Sequence, residues 1–151
     1  MPAFITRPAK PTDVPAIHGL IREIAIFENL EHEFVGTVAE LEESLFGEKP
    51  VAEALVAVLN DRVVGYAIFI ENFSTFLCRK GIWLEDLFVT ETHRKSGIGK
   101  ALLEAVRQIA IDRNAGRYEW CVLDWNQNAI DFYERAGAEV LPDWRIVRTV
   151  L

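Results

Sequence analysis

Two stretches of the sequence carry side chains suited to chemistry. In the first, Glu85 and Asp86 stand side by side inside an otherwise apolar run, Ile82 to Val89. A carboxylate among apolar strand residues is desolvated, which raises its pKa towards the range where it accepts a proton, so Glu85 is a candidate general base. Successive strand residues point to opposite faces, so Glu85 and Asp86 are expected to serve different roles. The second stretch is Arg94-Lys95-Ser96-Gly97-Ile98-Gly99-Lys100. Gly97 and Gly99 let the main chain bend closely around a ligand, and a helix starting there offers unpaired N–H groups and the positive end of its dipole. Arg94, Lys95 and Lys100 add positive charge to an acidic chain, so phosphate is the natural guest; the bland alternative is a tight turn with solvated lysines. Two nucleotide loops are excluded. GxGxxG fails because one glycine pair is present and residues 101 and 102 are Ala and Leu. The pattern GxxxxGK(S/T) needs Gly at position 94 and Ser or Thr at 101, where Arg and Ala stand.

The elements that must position these residues follow from spacing. Ala3–Arg7 alternates as a first strand, stopped by Pro8 and Pro11. Thr12 or Asp13 caps a helix with Val14, Ile17, Leu20, Ile21 and Ile24 on one face. Thr37 and Glu40 form a capping box for a second helix that buries Leu41, Leu45 and Phe46 and closes at Gly47. Ala54–Leu59 and Arg62–Ile70 are strands joined by Asn60-Asp61, a two-residue hairpin signal. A polar stretch, Glu71–Lys80, precedes the strand Ile82–Val89, and the loop Thr90–Gly99 leads to a helix with Leu102, Leu103, Val106, Ile109 and Ala110 on one face. Asn114–Gly116 ends that helix. Tyr118–Leu123 reads as a strand, Asn128–Ala136 as a short helix closed by Gly137, and Trp144–Leu151 as a last apolar strand, with room for a short one at Glu139–Leu141. The order predicts a mixed sheet in which an antiparallel part precedes one β-α-β crossover, covered by helices.

The chain has 151 residues, half of them apolar and 26% charged, which is enough for a packed core without staples. No repeat or linker divides it, so a single domain over 1–151 is expected. The net charge of −7 speaks against a nucleic-acid partner, whose phosphates need a basic face. Cys78 and Cys121 are too few for a disulfide framework and read as reduced thiols of a cytoplasmic protein. The N-terminus lacks the apolar core of a signal peptide, and the longest apolar run, Val63–Ile70, is far short of the ~20 residues that span a bilayer, so no membrane partner is expected. His18, His32 and His93 are scattered, and no metal set is visible.

One family pattern survives where the nucleotide loops fail. It asks for Gln or Arg, two residues, Gly, one residue, then Gly or Ala, and is met by Arg94, Gly97 and Gly99 between a strand and an amphipathic helix. It is followed by Asn126-Gln127-Asn128-Ala129-Ile130-Asp131-Phe132-Tyr133-Glu134-Arg135-Ala136-Gly137-Ala138. Together these resemble the two cofactor-side motifs of the GNAT superfamily of acetyl-CoA-dependent N-acetyltransferases. Leu84-Glu85-Asp86-Leu87-Phe88-Val89, Trp125-Asn126, Gly47-Glu48, the opening Phe4-Ile5-x-Arg7-Pro8-Ala9 and Trp144-Arg145 resemble its diamine (spermidine/spermine) N-acetyltransferase branch, from about residue 4 to 148. The loop Glu71–Lys80 lacks the branch's longer, aspartate-bearing form and the C-terminus stops early, two departures on the amine side.

The resemblance implies an α/β (α+β type) fold: a central mixed, mostly antiparallel twisted sheet flanked by about four helices. It implies acetyl transfer from acetyl-CoA to a primary amine of a polyamine, diamine or lysine-like acceptor, directly in a ternary complex and with no metal. Glu85 serves as the base, acting through a water, and Tyr133, a phenol of pKa near 10, protonates the departing thiolate. Main-chain N–H groups at Leu87, Phe88 and Val89 hold the cofactor and polarise the thioester, Arg94–Lys100 (with Lys95, Ser96, Ile98 and Gly99) binds the diphosphate, and Asn126, Ala129 and Phe132 lie on the pantetheine side. Glu28, with Glu31 and Glu33 nearby, Glu85, Asp86 and Trp144 are implied on the amine side. The branch also implies a homodimer, with Ile146–Leu151 pairing across it. A protein or aminoglycoside acceptor, or a CoA-binding module without turnover, are the alternatives; a module without turnover has no use for Glu85 and Tyr133 together.

Overall fold

In the computed structural model, which describes residues 3–151, the sheet runs in the order β1 (Phe4–Pro8), β2 (Glu53–Leu59), β3 (Arg62–Ser74), β4 (Arg79–Val89), β5 (Tyr118–Glu119). The first four strands are antiparallel to their neighbours and β5 is parallel to β4. The helices are α1 (Val14–Phe27), α2 (Val38–Phe46), α3 (Ile98–Asp112) and α4 (Gln127–Arg135). The mixed five-stranded sheet with four helices is the fold class expected.

The local causes are the ones the sequence carries. Asn60 and Asp61 both take positive φ, 49° and 61°, so the β2–β3 connection twists the way its strands do. Thr37 accepts from the Glu40 amide at 3.1 Å while Glu40 accepts from the Thr37 amide at 2.8 Å, closing the box that starts α2. Asp13 behaves differently from expectation. It precedes α1 but makes no side-chain cap, because its buried carboxylate is taken by Arg7 at 2.7 and 3.1 Å and by the Lys10 amide at 2.7 Å.

Helices α1 and α2 pack Ile17, Leu20 and Leu45 on Val56, Tyr66, Ile68 and Phe88 of the sheet. On the opposite face, Leu102 of α3 comes down over Gly65 and Val89. A Cβ at Gly65 would lie 3.0 Å from the Phe88 carbonyl oxygen and 3.3 Å from Leu102 and Val89, so the missing side chain is what lets α3 approach. Arg113, just past α3, ties that helix back to the sheet by a two-point contact with Glu53 at 2.7 Å, a bond to Glu71 at 3.1 Å and its place over the Phe69 ring.

The structure corrects several boundaries. Glu71–Lys80 is not a polar stretch apart from the sheet: β3 runs on to Ser74 and β4 starts at Arg79, pairing Glu71 with Ile82 and Ser74 with Arg79. Exposure alternates along the end of β3, with Glu71 and Phe73 outward and Asn72 and Ser74 half-buried. Helix α3 starts at Ile98, inside the expected loop. Strand β5 stops at Glu119 because its ladder to β4 has two rungs, Ile82–Tyr118 and Trp83–Glu119. No strand forms at Glu139–Leu141 or Trp144–Leu151: without a partner ladder, β-propensity alone does not make a strand.

Two compact units divide the chain, one up to Trp120 and one from Cys121 to Leu151. The first holds all five strands with α1, α2 and α3; the second holds α4 and irregular segments. Gly65→Ala is expected to destabilise the first unit by about 1–3 kcal/mol, the range for overpacking a filled site, read as a lower midpoint in urea unfolding.

Candidate functional site

Pairing along β4 shifts once. Ile68 of β3 faces Asp86 and Phe69 faces Leu84, so Glu85 is the extra residue of a β-bulge. Its effect on side-chain direction can be counted. Ile70 faces Trp83, and Ile68, two residues away on β3, shares its side of the sheet; Trp83 and Asp86 therefore share that side as well. Glu85, two after Trp83, joins them. The expectation that the two acids point to opposite faces is corrected: the bulge turns both towards the face covered by α1 and α2.

Burial separates the two acids. Glu85 is exposed and accepts from the Trp83 indole N–H at 3.1 Å. Asp86 is half-buried and accepts from the Tyr66 hydroxyl at 3.2 Å, while Tyr66 itself is 0% exposed. The desolvation expected at Glu85 thus falls on Asp86, because the bulge lifts Glu85 outward. Burial first, then the charges of Glu85 and Glu28, push the Asp86 carboxyl up to about 7 against the downward pull of the Tyr66 bond. Burial also raises the half-buried Glu28 carboxyl at the end of α1. The structure brings Glu28, Glu85 and Asp86 into one electrostatic group; Glu31 and Glu33 lie exposed on a 3-10 turn beyond it. That loop is fixed from α1, where His18 Nε2 meets the Gly36 carbonyl at 2.8 Å and the His18 ring lies 4.8 Å from that of Phe34. Among the described residues, no group of three or more His, Cys, Asp or Glu could hold a metal ion.

The far end of β4 leads into the basic loop. A 3-10 turn, Glu91–His93, is held by Thr90 and Thr92 hydroxyls at 2.9 and 3.0 Å from His93 Nδ1, and Ser96 Oγ donates to the His93 carbonyl. Lys95 and Gly97 take positive φ, 61° and 86°, turning the chain so that α3 begins without a side-chain cap. A hypothetical Cβ at Gly97 meets nothing within 4 Å, so its role is the left-handed turn. The first-turn amides of a 15-residue helix, with the positive dipole end, therefore face outward beside exposed Lys95 and Lys100. Such an end fits a diphosphate. Arg94 is engaged more locally than its type implies: Nε donates to the Val89 carbonyl at 3.2 Å, and the guanidinium lies 4.9 and 5.3 Å from the Phe27 and Phe88 rings. It fastens the end of β4. Beyond Trp83, the outer edge of β4 carrying Leu87, Phe88 and Val89 has no strand ladder among the described residues.

In the second unit, the Asn126 side chain caps α4 by accepting from the Ala129 amide at 3.3 Å, and Gln127 bonds Asp131 at 2.7 Å one turn on. The Phe132 and Tyr133 rings lie 5.4 Å apart, tilted by 59°, and Gly137, at φ 92°, closes the helix. Trp144 is 77% exposed in an irregular segment of that unit. Sequence reading missed Tyr66, Trp83 and the bulge. Tyr66 carried a usable signal, since a tyrosine deep in an apolar strand generally has a partner for its hydroxyl.

Comparison with known proteins agrees with this geometry. The acetyltransferase (GNAT) family pattern matches residues 20–138. An L-ornithine N5-acetyltransferase of Arabidopsis thaliana is 36% identical over 94% of this chain and 82% of its own. A thialysine N-epsilon-acetyltransferase of Bos taurus is 35% identical over 93% and 88%. Among solved structures, an aminoglycoside acetyltransferase from an uncultured soil metagenomic sample shares the fold at a TM-score of 0.81, with 18% identity over 98% of this chain and 96% of that one.

Asp86 generates a stability prediction. Its folded carboxyl titrates near 7 and its ordinary value is 3.8, so between these pH values the folded chain keeps a proton that the unfolded chain releases. Stability therefore falls as pH rises through that window. Asp86→Asn removes the buried charge and is expected to be more stable than the parent at pH 8, by about 2 kcal/mol in urea unfolding, with the gap closing near pH 4.

Proposed function

Because the chain belongs to the acetyltransferase (GNAT) family, its chemistry is acetyl transfer, and we propose that it moves an acetyl group from acetyl-CoA to the primary amine of a small cationic acceptor of the polyamine, diamine or lysine-like class. The observation that carries this reading is the grouping of Glu28, Glu85 and Asp86 with no salt bridge from a cation among the described residues to any of them. Carboxylates gathered there attract an ammonium group and repel an anionic acceptor. The ornithine and thialysine acetyltransferases named above support the same class.

The amine arrives protonated, with a pKa near 10, and must lose a proton before it can attack. Glu85, exposed at the bulge, takes that proton through a water. The outer main-chain N–H groups of Leu87–Val89 receive the thioester carbonyl and stabilise the oxyanion. The α3 N-terminus, with Lys95 and Lys100, holds the diphosphate, while Arg94 steadies Val89. Asn126, Ala129 and Phe132 line the pantetheine, and Tyr133 protonates the leaving thiolate; these assignments rest on the motif that runs from Asn126 to Ala138. Glu28, Asp86 and Trp144 attend the amine. Transfer is direct, with no acyl-enzyme.

Residues 1–151 act as a single domain, supported by a family match that runs through both compact units. A homodimer is supported by the exposed apolar end, where Ile146, Val147 and Val150 stand in solvent. A cytoplasmic setting is supported by the low cysteine content, two residues being too few for a disulfide framework. Among the described residues, no helix is long and apolar enough to cross a membrane.

Thiol release from acetyl-CoA against a panel of amines tests the reading. Diamines and lysine-like amines are expected to be acetylated, and a panel in which aminoglycosides or peptides alone react contradicts it. Tyr133→Phe is expected to lower kcat by about 10²-fold with acetyl-CoA affinity nearly intact, the scale for losing a positioned proton donor; equal loss of both makes the hydroxyl structural.

A further inference from the structure

The roles above leave one buried polar group unused. Tyr66 lies on β3 opposite Phe88, within the core packed under α1, and is fully excluded from solvent. A ring at that place needs no hydroxyl to fill space, and burying one costs free energy unless it is bonded. Its bond goes to Asp86 Oδ2, 3.2 Å away, reaching across to the residue that faces Ile68. The group around Asp86 is otherwise acidic: Glu85 beside it on β4 and Glu28 from the end of α1, with Glu85 held by the neutral Trp83 indole. Arg94 is occupied with Val89 and the Phe27 and Phe88 rings. Two neighbouring acids on one face, each anchored by a neutral donor, cannot both stay charged cheaply, so the pair takes up one proton readily. The half-buried member is the one better able to keep it.

We propose that the proton leaving the acceptor's ammonium comes to rest on Asp86, and that Tyr66 is a positioning residue that fixes the Asp86 carboxyl and sets the pH at which it takes that proton. This rests on the acetyl-transfer reading. The balance is complete: the ammonium gives one proton, by way of Glu85 and water, to the Asp86 carboxylate. The freed lone pair forms the C–N bond, the C–S pair leaves on sulfur, and sulfur takes the Tyr133 phenol proton. The second proton shed by nitrogen restores that phenol, and Asp86 returns its proton to solvent. Tyr66 stays protonated throughout, because burial raises its pKa well above the ordinary value.

The test is a carbon-13 NMR titration of the Asp86 carboxyl in the full chain without ligands, alongside pH profiles of kcat/KM with acetyl-CoA and a diamine. The parent Asp86 is expected to titrate near neutrality. Tyr66→Phe keeps the ring, removes a bond to the charged form, and is expected to move the Asp86 midpoint and the acid limb of kcat/KM upward together by about one pH unit. An Asp86 midpoint near 4 in the parent overturns the proposal without any variant. So does an acid limb that ignores Tyr66→Phe while kcat is retained, or one whose midpoint is unchanged in the residual activity of Asp86→Asn. Absence of thiol release by the parent at every pH overturns the acetyl-transfer reading itself, and the proton's destination with it.

Discussion

Strand β4 contains one residue more than its neighbour can pair, and that mismatch sets the geometry of the acidic side. At Glu85 the ladder to β3 slips by one, so two consecutive acids share a face that ordinary alternation would divide. The same strand then runs on past the end of its short ladder with β5, leaving main-chain groups at Leu87–Val89 on an open edge. Its last carbonyl, at Val89, is held by Arg94, the first residue of the basic loop. The carboxylates proposed to take the proton and the edge proposed to meet the thioester are therefore parts of one continuous strand, and Arg94 ties its end to the loop proposed to grip the diphosphate. A shift in β4 moves all of them together.

Charge is divided between that strand and the loop after it. Glu85 and Asp86, with Glu28 grouped to them, lie in the second half of β4, and the exposed Lys95 and Lys100 at the α3 N-terminus follow that same end, the place proposed for the diphosphate. In a chain of net charge −7, Lys95 and Lys100 still stand where the diphosphate is proposed to bind. The half-buried acid differs from the exposed one in a way that matters for catalysis. Glu85 stands exposed at the bulge, whereas the Asp86 carboxyl, pushed up to about 7, is able both to take a proton and to give it up near neutral pH.

Much of this was legible in the sequence wherever a local rule governs. The Asn60-Asp61 turn, the Thr37–Glu40 box and the α3 stripe of Leu102, Leu103 and Val106 each follow from residue type and spacing. In the basic loop the tight turn at Gly97 was legible, while the contacts of Arg94, whose Nε donates to the Val89 carbonyl beside two aromatic rings, were not. What pairing decides was not legible. The bulge depends on which residue of β3 opposes which of β4, so Glu85 was expected to be the desolvated acid when Asp86 is. Asp13 was read as a cap because nothing local reveals that Arg7 claims its carboxylate. The Trp144–Leu151 run has strand composition and no strand, because a ladder needs a partner that the run itself does not encode.

Mapping backbone amide shifts while coenzyme A is titrated into the isotope-labelled chain tests the central claim most directly. The account predicts a saturable response largest at Leu87–Val89 and at Gly97–Lys100, where the β4 edge and the uncapped start of α3 offer their N–H groups. No response, or one centred on residues away from β4 and the α3 N-terminus, contradicts it.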